Sequence, residues 1–546
     1  MSDVLVAIPD GMSEEGVKYL LEHGINIIPK KDSQRIGIDA LAQQADAIVV
    51  RSATKVMQVP EEPRVKIYGR IGSGVDNFSD ARQQIDKAGI PIVNSPEPNA
   101  ISVSELVFSY LLDDARGIQS IIDSSRRGEW AKDRYQGSRL HGKTLGIVGV
   151  GLIGANVANI GNAFGMKVLA YDIRPNLSLP NVKFVPDLDT LLKESDYVTV
   201  HTPYSNKPLF GKKEFKLMKT SAVFIQTARG GIADEADLVE ALEKGQIRKA
   251  YIDVFTTEPF DGSRGRLSES LGKLIQLSNA YCTSHIGAST EEGQREGSLI
   301  IAKRLTNYLL YGYLDSMCNG NIDSSLNNLR VVFHRAGMFI GQYSQDDANQ
   351  VKVLLDGELR TSDETTKSQL LNTLMTGLFF SGNRYVNSLN LENVVGNTKY
   401  SISNVDRRRD NTFTVEVEGK KSNYTIEFTY DTGELVKFGY GHKIAEIEPF
   451  STRFELNGNL AIIIHDDKPG ALAVVADRIA REDINIANAS TDKQLGGKAV
   501  SVFQLESTVA NGLLNGLIGE SPVPYRQHRI KFHSGISIGL PPKNAF

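Results

Sequence analysis

Three short segments hold side chains suited to proton transfer on an acid: TARGGIADE with Arg229, DVFTTEP with Glu258, and SHIGAST with His285. Each follows a short apolar run, where a parallel α/β sheet presents functional residues at its carboxyl edge. The planar fork of an arginine matches a carboxylate through two hydrogen bonds. Histidine titrates near neutrality and suits a general base. A glutamate bonded to that imidazole orients it and stabilises its protonated form. The three together suit removal of a hydroxyl proton beside a carboxylate, with a hydride leaving for an acceptor. Singly they have plainer readings: an ion-paired arginine, a carboxylate at a helix start, a structural histidine.

A place for the acceptor lies upstream, in Gly149-Val-Gly151-Leu-Ile-Gly154. It closes the apolar run TLGIVG and opens a segment whose Ile153, Val157, Ile160 and Phe164 recur at helical spacing. Gly149 permits a tight turn, Gly151 a close backbone approach to a pyrophosphate, and Gly154 close packing of helix on strand. The helix start adds free amides and a positive dipole. Asp172 closes the next run, KVLAYD, where a carboxylate accepts from a ribose and repels a 2′-phosphate. NAD is therefore favoured over NADP, with Arg174 nearby working against the preference. A glycine-rich turn in an unrelated α/β protein is the plainer reading.

These residues need a scaffold of several domains, because 546 residues exceed one hydrophobic core. Up to about Gly320, runs such as VLVAIP, AIVVRS, YVTVHT, AVFIQT and AYIDVF alternate with helical stretches, the mark of doubly wound parallel sheets. NGNIDSSLNN then reads as a linker. TFTVEVEG and NYTIEFTY follow as an antiparallel hairpin region, with two helices before it. From Asn459, NLAIIIH, PGALAVVADRIARE, INIANAS, AVSVFQLE, a helix around Leu513 and a strand near Arg529 give a ferredoxin-like βαββαβ order. A net charge of −4 gives no reason to expect a nucleic-acid or membrane partner, and no apolar run reaches bilayer length. The N-terminus lacks the pattern of a signal peptide. Two cysteines, Cys282 and Cys318, have neither metal-ligand spacing nor a disulfide framework, so the expectation is a reduced, cytoplasmic protein without a metal.

In their order and wording these motifs resemble the D-2-hydroxyacid dehydrogenase family over roughly residues 1–317. The resemblance implies catalytic roles for Arg229, Glu258 and His285. It implies NAD contacts from Ser73, Gly149, Gly151, Leu152, Ile153, Gly154, Asp172, Thr202, Thr227, Ala228, Arg229, Asp253, His285, Gly287 and Ala288. His201 is expected at a strand end near the cofactor. Two Rossmann-like lobes are implied: a substrate lobe from 1–98 and 290–316, and an NAD lobe, 99–289, inserted within it. An α+β intervening domain over 320–453 and an ACT domain over 457–535 would follow. Relative to the family, Leu152 replaces an arginine, Gln226 an asparagine and Ser284 a proline.

VRSATKV and GRIGSGVDN resemble the substrate loops of family members acting on 3-phosphoglycerate, which implies substrate contacts from Arg51, Ser52, Ser73 and Gly74. Asn99, in SPEPNAISVSEL, matches another substrate-side position. The implied reaction is oxidation of 3-phospho-D-glycerate to 3-phosphohydroxypyruvate. The arm RRGEWAKDRY, with Trp130, is implied to cross a dimer interface, in a homodimer or homotetramer, with Arg126, Arg127 or Lys132 reaching the neighbouring site. HDDKPGALAVVADRIAREDINIANAS resembles an amino-acid-binding ACT unit, implying L-serine as effector on His465, Asp467 and Asn485. A purely structural role for those three stays open, as does a solvated loop against an anion site at Arg407–Arg409. Two rivals stand beside this reading. One is a different D-2-hydroxyacid dehydrogenase, such as a hydroxypyruvate reductase; the other is a non-catalytic NAD-sensing protein on the same fold.

Overall fold

The computed structural model describes residues 4–130, 135–174, 179–205, 207–258, 268–320, 326–344, 348–356, 359, 362–380, 399–404, 412–419, 423–431, 434–442, 459–469, 471–493, 498–507, 519–522 and 529–539. Short apolar runs near the N-terminus form β1 (Leu5–Ala7), β2 (Asn26–Ile28), β3 (Ala47–Val50), β4 (Ile67–Arg70) and β5 (Ile92–Asn94). They make one parallel sheet in the order β2-β1-β3-β4-β5. Parallel strands need cover on both faces. One face packs on Leu41, Ala42, Phe78 and Ile85. The other packs on Ile301, Leu305 and Tyr308 of the helix Glu291–Tyr311, which returns from far along the chain.

Between the two passes lies a seven-stranded parallel sheet. Its strands are β6 (Thr144–Val148), β7 (Lys167–Tyr171), β8 (Val182–Phe184), β9 (Tyr197–Val200), β10 (Val223–Gln226), β11 (Lys249–Ile252) and β12 (Ala280–Cys282). The order is β12-β11-β10-β9-β6-β7-β8, with cores on both faces. The order reverses beside β6, so the carboxyl ends of β6 and β9 open a crevice at the switch point. The helix Leu152–Ala163 starts there and buries Val157 and Ala158 against the sheet. Phe164, expected on that buried face, is instead the half-exposed C-cap residue, with its ring stacked on Phe108.

In the C-terminal half β13 (Ala348–Leu355), β14 (Lys399–Asn404), β15 (Thr412–Gly419), β16 (Asn423–Asp431) and β17 (Glu434–His442) form a mixed sheet. Its order is β14-β13-β15-β16-β17. The hairpins are antiparallel as expected, but β13 and β14 pair in parallel across the helix Glu364–Phe380. A crossover helix demands that direction. The last sheet comprises β18 (Asn459–Asp466), β19 (Ile486–Lys493), β20 (Lys498–Leu505), β21 (Gly519–Pro522) and β22 (Arg529–Gly539), in the antiparallel order β19-β20-β18-β22-β21. Along β18, Leu460, Ile462 and Ile464 join the core of the mixed sheet. Ala461 and Ile463 pack on the helix Ala471–Ala480. Both faces are thus covered, which explains why NLAIIIH reads as continuously apolar. The expected helix around Leu513 and the Arg407–Arg409 run lie outside the described residues. Among the described residues no helix is long and apolar enough to cross a membrane, and no cluster could hold a metal.

The helices Asn327–Ser344 and Glu364–Phe380 cross where Gly337 meets the Leu374 carbonyl and Gly377 meets the His334 carbonyl. A Cβ at either position would run into backbone. Gly337→Ala is expected to destabilise the C-terminal half by roughly 1–3 kcal/mol. A lower thermal midpoint by circular dichroism, with the turnover of the remaining folded enzyme preserved, would register it.

Candidate active site

At its centre His285 Nδ1 lies 2.7 Å from Glu258 Oε2. Burial pushes the Glu258 carboxyl up. The hydrogen bond and charge of His285, the Phe255 amide donating to Oε1 at 3.0 Å, and Arg229 together outweigh it and hold the carboxyl below its ordinary value. An ionised carboxylate only accepts, so Nδ1 carries the proton of a neutral ring and Nε2 is left as the base. A depressed carboxyl stays charged through neutral and mildly acid pH, and its support is lost only as pH falls below the ordinary glutamate range. Glu258→Gln removes the negative charge that favours the imidazolium. Reduction of a keto acid, which needs the imidazolium, is then expected to fall in kcat/KM, most at the alkaline end of the profile. The pH profile of kcat/KM checks this.

Arg229 stands in the turn after β10. Gln226, 2% exposed, closes that turn: its side-chain amide donates to the Arg229 carbonyl at 2.9 Å and its oxygen accepts from the Ala228 amide at 3.3 Å. The longer glutamine thus braces the loop that the family's asparagine would occupy. Arg229 donates from Nε to Asp76 Oδ2 at 3.0 Å and from a terminal nitrogen to the Ala228 carbonyl at 2.7 Å. A Cβ on Gly74 would collide with its guanidinium, so the loop carrying Ser73 and Gly74 lies directly on it. The lobes therefore meet at this arginine.

On the first-lobe side Asp10 organises the turn after β3. It accepts the Arg51 amide at 2.6 Å, the Thr54 amide at 3.1 Å and the Thr54 hydroxyl at 2.6 Å. Asn77 donates to the Arg51 carbonyl from the other side. This leaves Arg51 half-buried and Ser52 exposed; Asn99 is half-buried near the start of the helix Pro96–Arg116. Arg70, ending β4, was not anticipated. Its Nε is buried without a hydrogen-bond partner, while another nitrogen donates to the Ile71 carbonyl beside Gly72. Burial first, then the positive charges of Arg229 and Arg51, lower its pKa to about 10 against the pull of Asp76 and Asp10. Arg70 thus lies within electrostatic reach of both Arg229 and Arg51. The available signal was position: Asp10, Arg70 and Asp76 each follow an apolar strand run of the first lobe.

The glycine turn is built for a dinucleotide. Gly149 takes φ +89°, and a Cβ on Gly154 would strike the Gly149 carbonyl. Open space surrounds Gly151. Asp172 accepts the Val150 amide at 2.7 Å and the Arg174 amide at 2.8 Å, which aims it along the turn. Leu152, at the helix start, is exposed. Thr227 Oγ1 and His201 Nδ1 are buried without hydrogen-bond partners. Burial pushes His201 down to about 3, so it stays neutral. These orphaned polar atoms beside an open glycine cradle fit the polar groups of NAD. Thr202, Ala228, Gly287 and Ala288 lie on the loops after β9, β10 and β12. Asp253 has no exposed surface, and both of its oxygens bond the loop beneath His285.

The expected effector residues lie apart, on the last sheet. His465 is 2% exposed, its Nδ1 donating to the Asp466 carbonyl and its Nε2 bonded to the Ser501 hydroxyl, both at 2.8 Å. Its ring is thus committed within the sheet. Asp467 is exposed, and Asn485 is exposed and donates to Glu506 at 3.0 Å.

The parallel crevice, the glycine turn and the His–Glu–Arg set define a dehydrogenase of hydroxy acids. Residues 108–287 match the family model described as "D-isomer specific 2-hydroxyacid dehydrogenase, NAD binding domain", and the chain belongs to that family. Its cofactor is NAD. More particularly, the chain is 31% identical to the D-3-phosphoglycerate dehydrogenase of Methanocaldococcus jannaschii, over 93% of this chain and 96% of that one. A hydroxypyruvate reductase of Thermotoga maritima is 36% identical but reaches only 56% of this chain, covering 98% of its own. Among solved structures, D-lactate dehydrogenase from Aquifex aeolicus, complexed with NAD and lactic acid, is similar with a TM-score of 0.50 at 25% identity. That similarity covers 56% of this chain and 95% of the other.

Proposed function

We propose that the protein oxidises 3-phospho-D-glycerate to 3-phosphohydroxypyruvate with NAD, the entry reaction of L-serine synthesis. The observation carrying this reading is that Arg70 lies within electrostatic reach of both Arg51 and Arg229, and Arg229 within reach of the Glu258 that bonds His285. One carboxylate does not need three cations, whereas a carboxylate and a phosphate do. Arg229 holds the substrate carboxylate against the Gly74 loop, with Asn99 nearby. Arg51, Ser52, Arg70 and Ser73 receive the phosphate. His285 Nε2 takes the hydroxyl proton as the C2–H bond breaks, and Glu258 stabilises the imidazolium that results. Bound on Gly149–Gly154, NAD supplies the acceptor for the hydride from C2.

The family resemblance supports the finer organisation: a substrate lobe (1–98 and 290–316), an NAD lobe (99–289), an intervening domain (320–453) and an ACT domain (457–535). The order of β18, β19, β20 and β22 is that of a ferredoxin-like unit. L-Serine is proposed as its effector, on Asp467 and Asn485, with His465 bracing the sheet behind them. The exposed apolar side chains of Leu112, Ile118, Ile121, Ile122 and Trp130, the last 91% exposed, support pairing of two copies through the segment 112–130. Two unpaired cysteines are in keeping with the cytoplasm.

Arg70→Met tests the phosphate assignment. It should raise the KM for 3-phosphohydroxypyruvate roughly 30-fold or more, with little change for unphosphorylated hydroxypyruvate. Equal effects on both substrates would remove Arg70 from phosphate recognition and the reading with it.

A further inference from the structure

His285 adopts φ +54°. Histidine visits this left-handed region more than most residues, yet it needs support from its surroundings. The support comes from below the loop. Asp253 follows β11 and has no exposed surface. Its carbonyl accepts the His285 amide at 2.9 Å, its Oδ1 the Ile286 amide at 2.9 Å, and its Oδ2 the Gly287 amide at 2.8 Å. Oδ1 also accepts the Thr283 hydroxyl at 2.6 Å.

That last bond fixes a direction. The Thr283 proton is committed to Asp253, so the Thr283 oxygen is left to accept. The hydroxyl 2.6 Å away belongs to Tyr110, on the helix Pro96–Arg116, and it must be the donor. Tyr110 is 7% exposed and its ring stacks on Tyr251 with centroids 4.9 Å apart. Burial pushes its hydroxyl strongly up, which keeps the proton in place. Bonds in such a chain polarise one another. Ser284, between Thr283 and His285, is exposed and has no proline ring to fix its backbone.

We propose that Tyr110 is a positioning residue for His285: through Thr283 and Asp253 it fastens the 283–287 loop, so that the imidazole stays on Glu258. The inference rests on His285 being the base. It assigns the hydroxyl of a helix residue, bonded to neither His285 nor Glu258, a part in the rate of proton transfer.

Tyr110→Phe in the full-length protein keeps the stacked ring and removes only the donor. It should lower kcat roughly three- to tenfold, the factor equivalent to one hydrogen bond, with the KM for NADH unchanged. Amide exchange across 283–287 should speed up by a similar factor while the rest of the sheet keeps its protection. Adding Ser284→Pro, which fixes φ by a ring instead, should restore both readouts. An unchanged kcat and exchange rate in Tyr110→Phe would overturn the proposal. So would a loss that Ser284→Pro does not rescue and that comes with faster exchange throughout the sheet. Wild type and His285→Asn are measured alongside. If His285→Asn turns over as fast as wild type, the base assignment has failed, and the inference falls for that separate reason.

Discussion

His285→Asn is expected to lower kcat about 10²- to 10⁴-fold, the usual contribution of a positioned general acid–base. Asparagine is the informative replacement because it too tolerates the left-handed backbone that His285 adopts at φ +54°. The loop should therefore keep its bonds to Asp253, and NADH should still bind. The loss should fall on kcat with KM nearly constant, since the proton moves only in the transition state. Glu258 would lose its partner and its carboxyl would move back up, because His285 supplies the leading downward influences on it. Steady-state kinetics with NADH titrations by fluorescence separate the two effects. A variant that lost NADH binding as well would point to a broken loop instead of a missing base.

Arg229→Gln should have the second largest effect, through substrate binding as well as turnover. A buried carboxylate stripped of its charged partner loses about 2–5 kcal/mol, equivalent to a fall in kcat/KM of roughly 30- to several-thousandfold. Arg229→Lys keeps the charge but not the fork, so it should recover only part of the loss. Arg229 also ties the lobes together by its bond to Asp76. Asp76→Asn keeps the side chain's shape and should reduce kcat/KM modestly by loosening Arg229, with no change in NADH affinity. Isothermal titration with NADH beside steady-state kinetics would show the split.

The parts of this site that were legible in the sequence are those set by local backbone geometry or by one side chain's chemistry. Gly149 and Gly154 declare themselves because a tight turn and a helix contact each exclude a Cβ, and Gly151 because a pyrophosphate would need the open space beside it. His285 and Glu258 stand in short motifs, and the structure brings them within 2.7 Å. What stayed hidden depends on contacts between distant segments. Asp76 is 153 residues from Arg229, and no periodicity links them. Arg70 looks like any strand-end arginine until the fold brings it within electrostatic reach of Arg51 and Arg229. Asp253 sits in a recognisable motif, but its bonds to the 283–287 loop appear only once that distant segment is folded over it. The direction of β14 was equally hidden, because alternation along a strand is the same whether its neighbour runs parallel or antiparallel. At His465 the sequence marks a strand-end histidine, and only the neighbouring strand supplies the Ser501 that occupies its ring.

The most direct measurement is NADH oxidation by the purified protein with 3-phosphohydroxypyruvate, set beside hydroxypyruvate, pyruvate and glyoxylate under the same conditions. Preference for the phosphorylated acid in kcat/KM, abolished in His285→Asn, is the predicted result. A preference for an unphosphorylated acid would contradict the phosphate role of Arg51 and Arg70. NADH binding without turnover of any of the four would contradict the dehydrogenase itself.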